Sequence, residues 1–289
     1  MSSTGPRSVG RTCRRALGSP AHCQLLSASP IKRRAGLLAA LAALLAAPPA
    51  VAGQSRAQTR ARVLEGEEVR LLPTEQRVVA LTFNAAWNED GLDSVLTVLR
   101  GHRAPATFFV TGRFAEAHPQ ALRAITAAGH GIGNHSHSHP DFREITRREA
   151  EQEMDRADQA IRVASGSTPA PFFRFPYSET TEQGIAAANA RGWTNVEFTT
   201  DTRGYVGTEG GMTTAEAVTR VADTLTPGQI VQMHVGTPEG RGDVIDALAL
   251  PGIIDLVRSR GYEITDLRTA LASPPGPLER GPGRRAETA

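Results

Sequence analysis

The stretch Gly129-His130-Gly131-Ile132-Gly133-Asn134-His135-Ser136-His137-Ser138-His139-Pro140 decides the reading of this chain. It holds four of the chain's eight histidines. His135 and His139 stand four residues apart, a spacing that lets two imidazoles converge on one metal ion. A catalytic zinc takes three protein ligands plus water, so this pair is part of such a set and not the whole of it. A lone His-x-x-x-His is more often a solvated polar turn. Here the Gly-Ile-Gly-Asn ahead of it and the Pro140-Asp141-Phe142 behind it favour the metal reading.

Working outward, short apolar runs alternate with helical periodicities. Residues 77–83 (RVVALTF), 106–110 (ATFFV), 172–175, 194–199, 229–234 and 262–265 predict strands. Leu92, Val95, Leu96 and Leu99 repeat at helical spacing, and a helix is predicted over 119–128, stopping at Gly129. Thr146 and Glu149 form a capping box ahead of a face made by Met154, Ala157 and Ile161, and Thr213/Glu216 open another helix. Repeated β-then-α units predict a parallel sheet with helices outside it. About seven such units suggest a barrel, with its chemistry at the C-terminal ends of the strands.

Polar clusters fall at those ends. They are Thr82-Phe83-Asn84-Ala85-Ala86-Trp87, the histidine stretch, Arg174-Phe175-Pro176-Tyr177, Asp201-Thr202-Arg203-Gly204-Tyr205 and Met233-His234. Taken in this order, they resemble the polysaccharide deacetylases, the NodB homology domain of carbohydrate esterase family four. Residues 129–140 closely resemble that family's metal-binding motif, and 106–110 its second strand. The resemblance covers about 76–272 and implies a distorted (β/α) barrel.

The resemblance also implies roles. His135 and His139 would hold a divalent metal, usually zinc, which polarises an acetamide carbonyl and activates water. The backbone N–H after Pro176 would help hold an oxyanion. His234 would protonate the departing amine, and Asp201 would orient and charge that histidine. Arg174 would pair with a base aspartate. Trp87, Tyr177 and Tyr205 are candidates for stacking on sugar rings, as exposed aromatic faces do. The implied activity is metal-dependent removal of N-acetyl, possibly O-acetyl, groups from a cell-wall or related polysaccharide such as peptidoglycan or a chitin-like glycan.

The chain then departs from the pattern. The family's first motif ends on two aspartates, a general base and a metal ligand; here those positions are Asn84 and Ala85. An amide takes no proton near neutral pH, and a methyl group offers a metal nothing. Gly204 and Tyr205 stand where an aspartate and a tryptophan often occur, and Gln232 where an apolar residue is usual. Three explanations are open. Glu89 or Asp90 fills the gap; His137 turns inward as ligand or base; or hydrolysis is lost and a glycan-binding pseudoenzyme remains.

The ends of the chain read differently from its middle. Lys32-Arg33-Arg34, an apolar run over 35–47 and Ala50-Val51-Ala52 predict a signal peptide over 1–52. This makes the protein extracytoplasmic, secreted or cell-wall associated, touching a membrane only if the segment is uncleaved. A linker is expected over 53–75, the deacetylase-like domain over 76–272 and a disordered tail over 273–289. Both cysteines, Cys13 and Cys23, fall in the first segment, which carries seven basic side chains and no acidic one. Removing it takes the formal charge from +2 to −5, so the remainder has no electrostatic footprint for nucleic acid.

Overall fold

The computed structural model describes residues 66–237 and 243–272; the expected signal segment and tail lie outside them. The chain divides into two units, Met1–Ser55 and Arg56–Ala289, and the described residues all belong to the second. Among them, no helix is long and apolar enough to cross a membrane.

The strands are β1 (Glu68–Val69), β2 (Val78–Ala85), β3 (Thr107–Val110), β4 (Gly131–Asn134), β5 (Phe172–Phe173), β6 (Thr194–Val196), β7 (Thr200–Asp201), β8 (Gln229–His234) and β9 (Glu263–Thr265). Around them run α1 (Leu92–His102), α2 (Gly112–Ala117), α3 (Pro119–Ala127), α4 (Arg147–Ser165), α5 (Glu182–Ala190), α6 (Thr214–Asp223), α7 (Ile245–Ser259) and α8 (Leu267–Ala270). Every strand pair is parallel, in the order β1-β6-β5-β4-β3-β2-β8-β7, with β9 against the start of β2. This is the expected distorted barrel: its wall curls from β1 round to β7, and no pairing among the described residues joins those two ends.

Two readings shift. The stretch expected as linker over 53–75 contains β1, paired with β6, and Leu71 bridges to Gln229. The strand predicted over 194–199 ends early, at Val196 of β6, and the chain then crosses to β7, which lies at the far end of the sheet order beside β8. The chain leaves the wall at Glu197 and rejoins it beside β8.

β2 shows why the barrel forms. Seven of its eight residues are buried, as in parallel strands covered on both faces. Its side chains alternate, so Val79, Leu81, Phe83 and Ala85 join the apolar layer under the helices, while Ala80 joins a cluster with Phe109, Phe172, Val196 and Ile230 inside the barrel. Phe83 stacks on Phe108 with centroids 5.0 Å apart, and burying each such ring contributes about 1.5–3 kcal/mol. The capping box forms as the sequence predicts: Thr146 accepts from the Glu149 N–H, and the Glu149 carboxylate accepts from the Thr146 N–H. It fixes the start of α4, the helix on which the histidine turn rests.

Candidate active site

Register sets the site's geometry. Asn84 lies opposite both Phe109 of β3 and His234 of β8, and Ala85 opposite Val110, which pairs with Asn134. The strand ends therefore open at one level, and a cleft of about 310 Å³ lies over them. Asn84, Trp87, His135, His139, Tyr177, Asp201, Tyr205, Gln232 and His234 all face it. A larger hollow, about 850 Å³, lies beside α1 and α3, but it gathers none of these side chains.

The histidine turn is held from below. Asn134 Oδ1 accepts from the Ser136 N–H at 2.9 Å, and Glu153 of α4 accepts from the N–H groups of His137 and Ser138 at 2.9 and 2.6 Å. His135 is 1% exposed, and its Nδ1 faces the Arg174 carbonyl at 2.9 Å. That bond makes Nδ1 the protonated nitrogen and leaves Nε2 as a buried lone pair with no partner. The His139 ring stands edge-on to it, centroids 4.9 Å apart. Burial holds His135 neutral well below the usual histidine range and lowers His139 to about 4. Two neutral imidazoles, one with a stranded lone pair, fit a divalent metal as a partial ligand set. Among the described residues no group of three or more His, Cys, Asp or Glu side chains converges on a common point.

The proposed substitutes for the lost aspartates do not reach the cleft. His137 is 3% exposed and turned away: its Nε2 lies 3.1 Å from Glu116, and its ring occupies the space that a Cβ on Gly112 would need. Glu89 pairs with His118 at 3.3 Å, and neither it nor Asp90 lines the cleft. Strand alternation also removes Ala85, whose methyl group points into the layer under the helices.

Arg174 is not the unpartnered cation that the loss of an aspartate suggests. It is fully buried beneath the cleft, not in it. Its NH1 donates to Thr82 Oγ1 and Asn84 Oδ1 at 3.0 and 3.1 Å, and its Nε and NH2 donate to the carbonyls of Val196 and Glu197, each at 2.9 Å. The Glu197 carboxylate, fully buried, accepts from the Phe175 N–H at 3.0 Å and supplies the nearest compensating charge. Desolvation raises Glu197 to about 7 against the pull of Arg174, and lowers Arg174 to about 10. Asn84 is held between Arg174 and Gln232, whose Oε1 accepts from its Nδ2 at 3.0 Å.

His234 is 5% exposed and wedged between aromatic rings, Trp87 at 5.8 Å and Tyr205 at 4.9 Å. The carboxylate beside it is not Asp201. Asp201 Oδ1 accepts from the Arg203 N–H at 2.8 Å, a local turn, while the rest of the side chain faces the cleft. Asp246 of α7 takes the place behind His234, with Oδ2 3.5 Å from Nδ1. The sequence hides this residue because an aspartate in the first turn of a helix already has a reason to be there, the helix dipole. Glu197 did leave a signal, a lone carboxylate inside a strand-like run. Tyr177, 64% exposed, closes the wall, its ring 4.6 Å from that of His139.

The comparisons with known proteins agree with this geometry. The family model for polysaccharide deacetylase matches residues 72–196. A chitooligosaccharide deacetylase of Sinorhizobium fredii is 32% identical over 196 residues, covering 65% of this chain and 89% of that one. A peptidoglycan-N-acetylglucosamine deacetylase of Bacillus cereus is 29% identical over 198 residues, 68% of each chain. Among solved structures, a Bacillus anthracis pseudoenzyme of carbohydrate esterase family four superposes with a TM-score of 0.65 over 73% of this chain and 70% of that one. At 24% identity, that likeness speaks for the fold.

Proposed function

The chain belongs to the polysaccharide deacetylase family, and from that premise we propose that it hydrolyses acetyl groups from an N-acetylated glycan of the chitin or peptidoglycan kind. The observation that carries this reading is the cleft itself, where a neutral imidazole pair and a third, carboxylate-backed histidine face one another across a space lined by aromatic rings. Trp87, Tyr177 and Tyr205 would take the faces of sugar rings. The relatives named above act on chitooligosaccharide and on peptidoglycan N-acetylglucosamine, which supports this substrate class.

His135 and His139 would hold a divalent metal, zinc by preference for imidazole, and the metal when bound would supply Lewis-acid polarisation of the acetyl carbonyl. The protein's own groups do the rest. Tyr177, held at φ 57 beside Pro176, presents its backbone at the lip of the cleft, where the N–H stabilises the oxyanion. His234, with Nδ1 on the buried side, turns Nε2 to the cleft, where it takes the proton that the attacking water gives up and passes it to the departing amine nitrogen. Arg174 is a positioning residue that orients His135 through its carbonyl and Asn84 through its guanidinium.

A second reading is a glycan-binding protein without hydrolysis, favoured by the amide of Asn84 at the β2 end and by the absence of any carboxylate in reach from Glu89 or Asp90. Metal content and acetate release, measured together on the chain from Gly53 with chitin oligomers and peptidoglycan, decide between the two. Acetate release that disappears in His135→Ala supports the hydrolase. Glycan binding with no acetate released sinks it and leaves the binding protein.

A further inference from the structure

We propose that Asp246, delivered from α7, is the positioning residue that sets the orientation and tautomer of His234, and that Gly204 exists to make room for it. Asp246 has no exposure at all, and both of its oxygens have polar neighbours. Oδ1 accepts from Thr202 Oγ1 at 2.6 Å; Oδ2 accepts from the His234 N–H at 2.8 Å and lies 3.5 Å from its Nδ1. Against the same carboxylate lies Gly204, at the start of the 3-10 turn over 204–206, where a Cβ would come closer than 3.0 Å to the carboxyl carbon and both oxygens. Gly204 is not among the residues with positive φ, so the backbone there tolerates any side chain. What the position cannot tolerate is volume.

The two positions thus form a matched pair. The loop that follows β7 gives up a side chain at 204, and the space is filled by a carboxylate from the helix that follows β8. Among the described residues, His234 is the one base within ion-pair distance of Asp246. Burying a carboxylate with no cation at hand is costly, and a groove that only stacks sugars has no use for one behind a histidine. A carboxylate on the Nδ1 side of an imidazole draws the proton to Nδ1 and leaves the Nε2 lone pair facing out. The rings of Trp87 and Tyr205 then fix the plane of the imidazole from the cleft side. Asp201, bonded within its own turn, is left to face ligand.

The use of the His234 proton rests on the hydrolase reading; the seating of Asp246 does not, and the experiment separates them. Nitrogen NMR of the imidazoles, with His234 assigned through His234→Gln, is recorded for the native protein, Asp246→Asn and Asp246→Ala. The Nδ1–H form of His234 is expected to dominate in the native protein and to give way to Nε2–H in Asp246→Ala; identical tautomer populations in the two overturn the proposal. Asp246→Asn keeps the hydrogen-bond seat, and acetate release is expected to fall about 10- to 100-fold in kcat with KM unchanged, as for a weakened proton donor. If the native protein releases no acetate, the hydrolase reading fails and the NMR result alone decides on Asp246. Should Asp246→Ala unfold, Gly204→Ala gives an independent answer. It is expected to lower the Tm of the native protein and to do so far less in an Asp246→Ser background, whose shorter side chain vacates the space of the carboxylate oxygens; an equal loss in both would mean that Asp246 and Gly204 do not share the space.

Discussion

The ends of β2 and β8 lie side by side, with Asn84 opposite His234, yet the two have diverged. At β8 an imidazole faces the cleft, and a carboxylate stands behind it from another element, Asp246. At β2 an amide faces the cleft, and the carboxylate that offsets the neighbouring cation, Glu197, lies outside the cleft lining. Each end keeps a buried carboxyl group near a basic side chain. Only at β8 does that group sit where it acts on a nitrogen open to ligand. A motif position that loses its acid therefore need not lose the charge from the region; the side from which the charge arrives decides whether it serves chemistry or only electroneutrality.

The largest effect expected from breaking this arrangement is on stability. Arg174→Met strips four hydrogen bonds and strands Glu197, and should cost about 3–5 kcal/mol in urea unfolding, as for a buried charge left without its partner. A loss of under about 1 kcal/mol would mean that Glu197 is not its counter-charge. Next comes the β8 end: His234→Gln should lower acetate release about 100-fold, while His137→Gln, turned away toward Glu116, should leave it within about twofold. A comparable loss in both would return His137 to the site.

A gain should come from the β2 end. Asn84→Asp places a carboxylate where Arg174 NH1 already donates at 3.1 Å, and should raise acetate release about tenfold by adding a base. Ala85→Asp should not raise it, because that side chain points into the apolar layer; unfolding, not activation, is the expected result. Activation by Ala85→Asp and none by Asn84→Asp would reverse the assignment of faces on β2.

The smallest effect is on pH dependence. His135 and His139 are held below the unfolded histidine value, so the folded state binds fewer protons there than the unfolded chain. Their contribution to stability is complete above about pH 6.5 and is lost as pH falls toward about 4. Glu197, raised to about 7, acts in the opposite sense, its contribution fading as pH rises from the ordinary carboxylate range toward 7. Tm should therefore rise from pH 4.5 to 6.5 in the native protein and rise less in His139→Asn. An equal rise in both would show that His139 is not held neutral by the fold.

Much of this was legible before the structure. The capping box at Thr146, the buried runs of β2, β3 and β8, and the clusters at their ends all follow from local pattern, and His135, His139 and His234 do face one cleft. The misreadings share a cause. The cluster pattern puts Asp201 beside His234, the missing aspartate leaves Arg174 without a partner, and the neighbouring histidines make His137 look like a ligand. In each case the deciding contact is made by a residue outside the motif: Asp246 for His234, the Glu197 carbonyl for Arg174, Glu116 for His137.

What the sequence determined by itself was the parallel barrel and the level of its mouth, because strand and helix periods, caps and turn glycines are properties of neighbouring residues. What only the tertiary structure decided was which side chain serves which. Alternation turned Ala85 out and Asn84 in, and the space left by Gly204 was filled by a carboxylate from α7. Charge and volume are conserved across a packed interior, not along a chain, so a residue missing from a motif can be replaced by one that no local pattern connects to it.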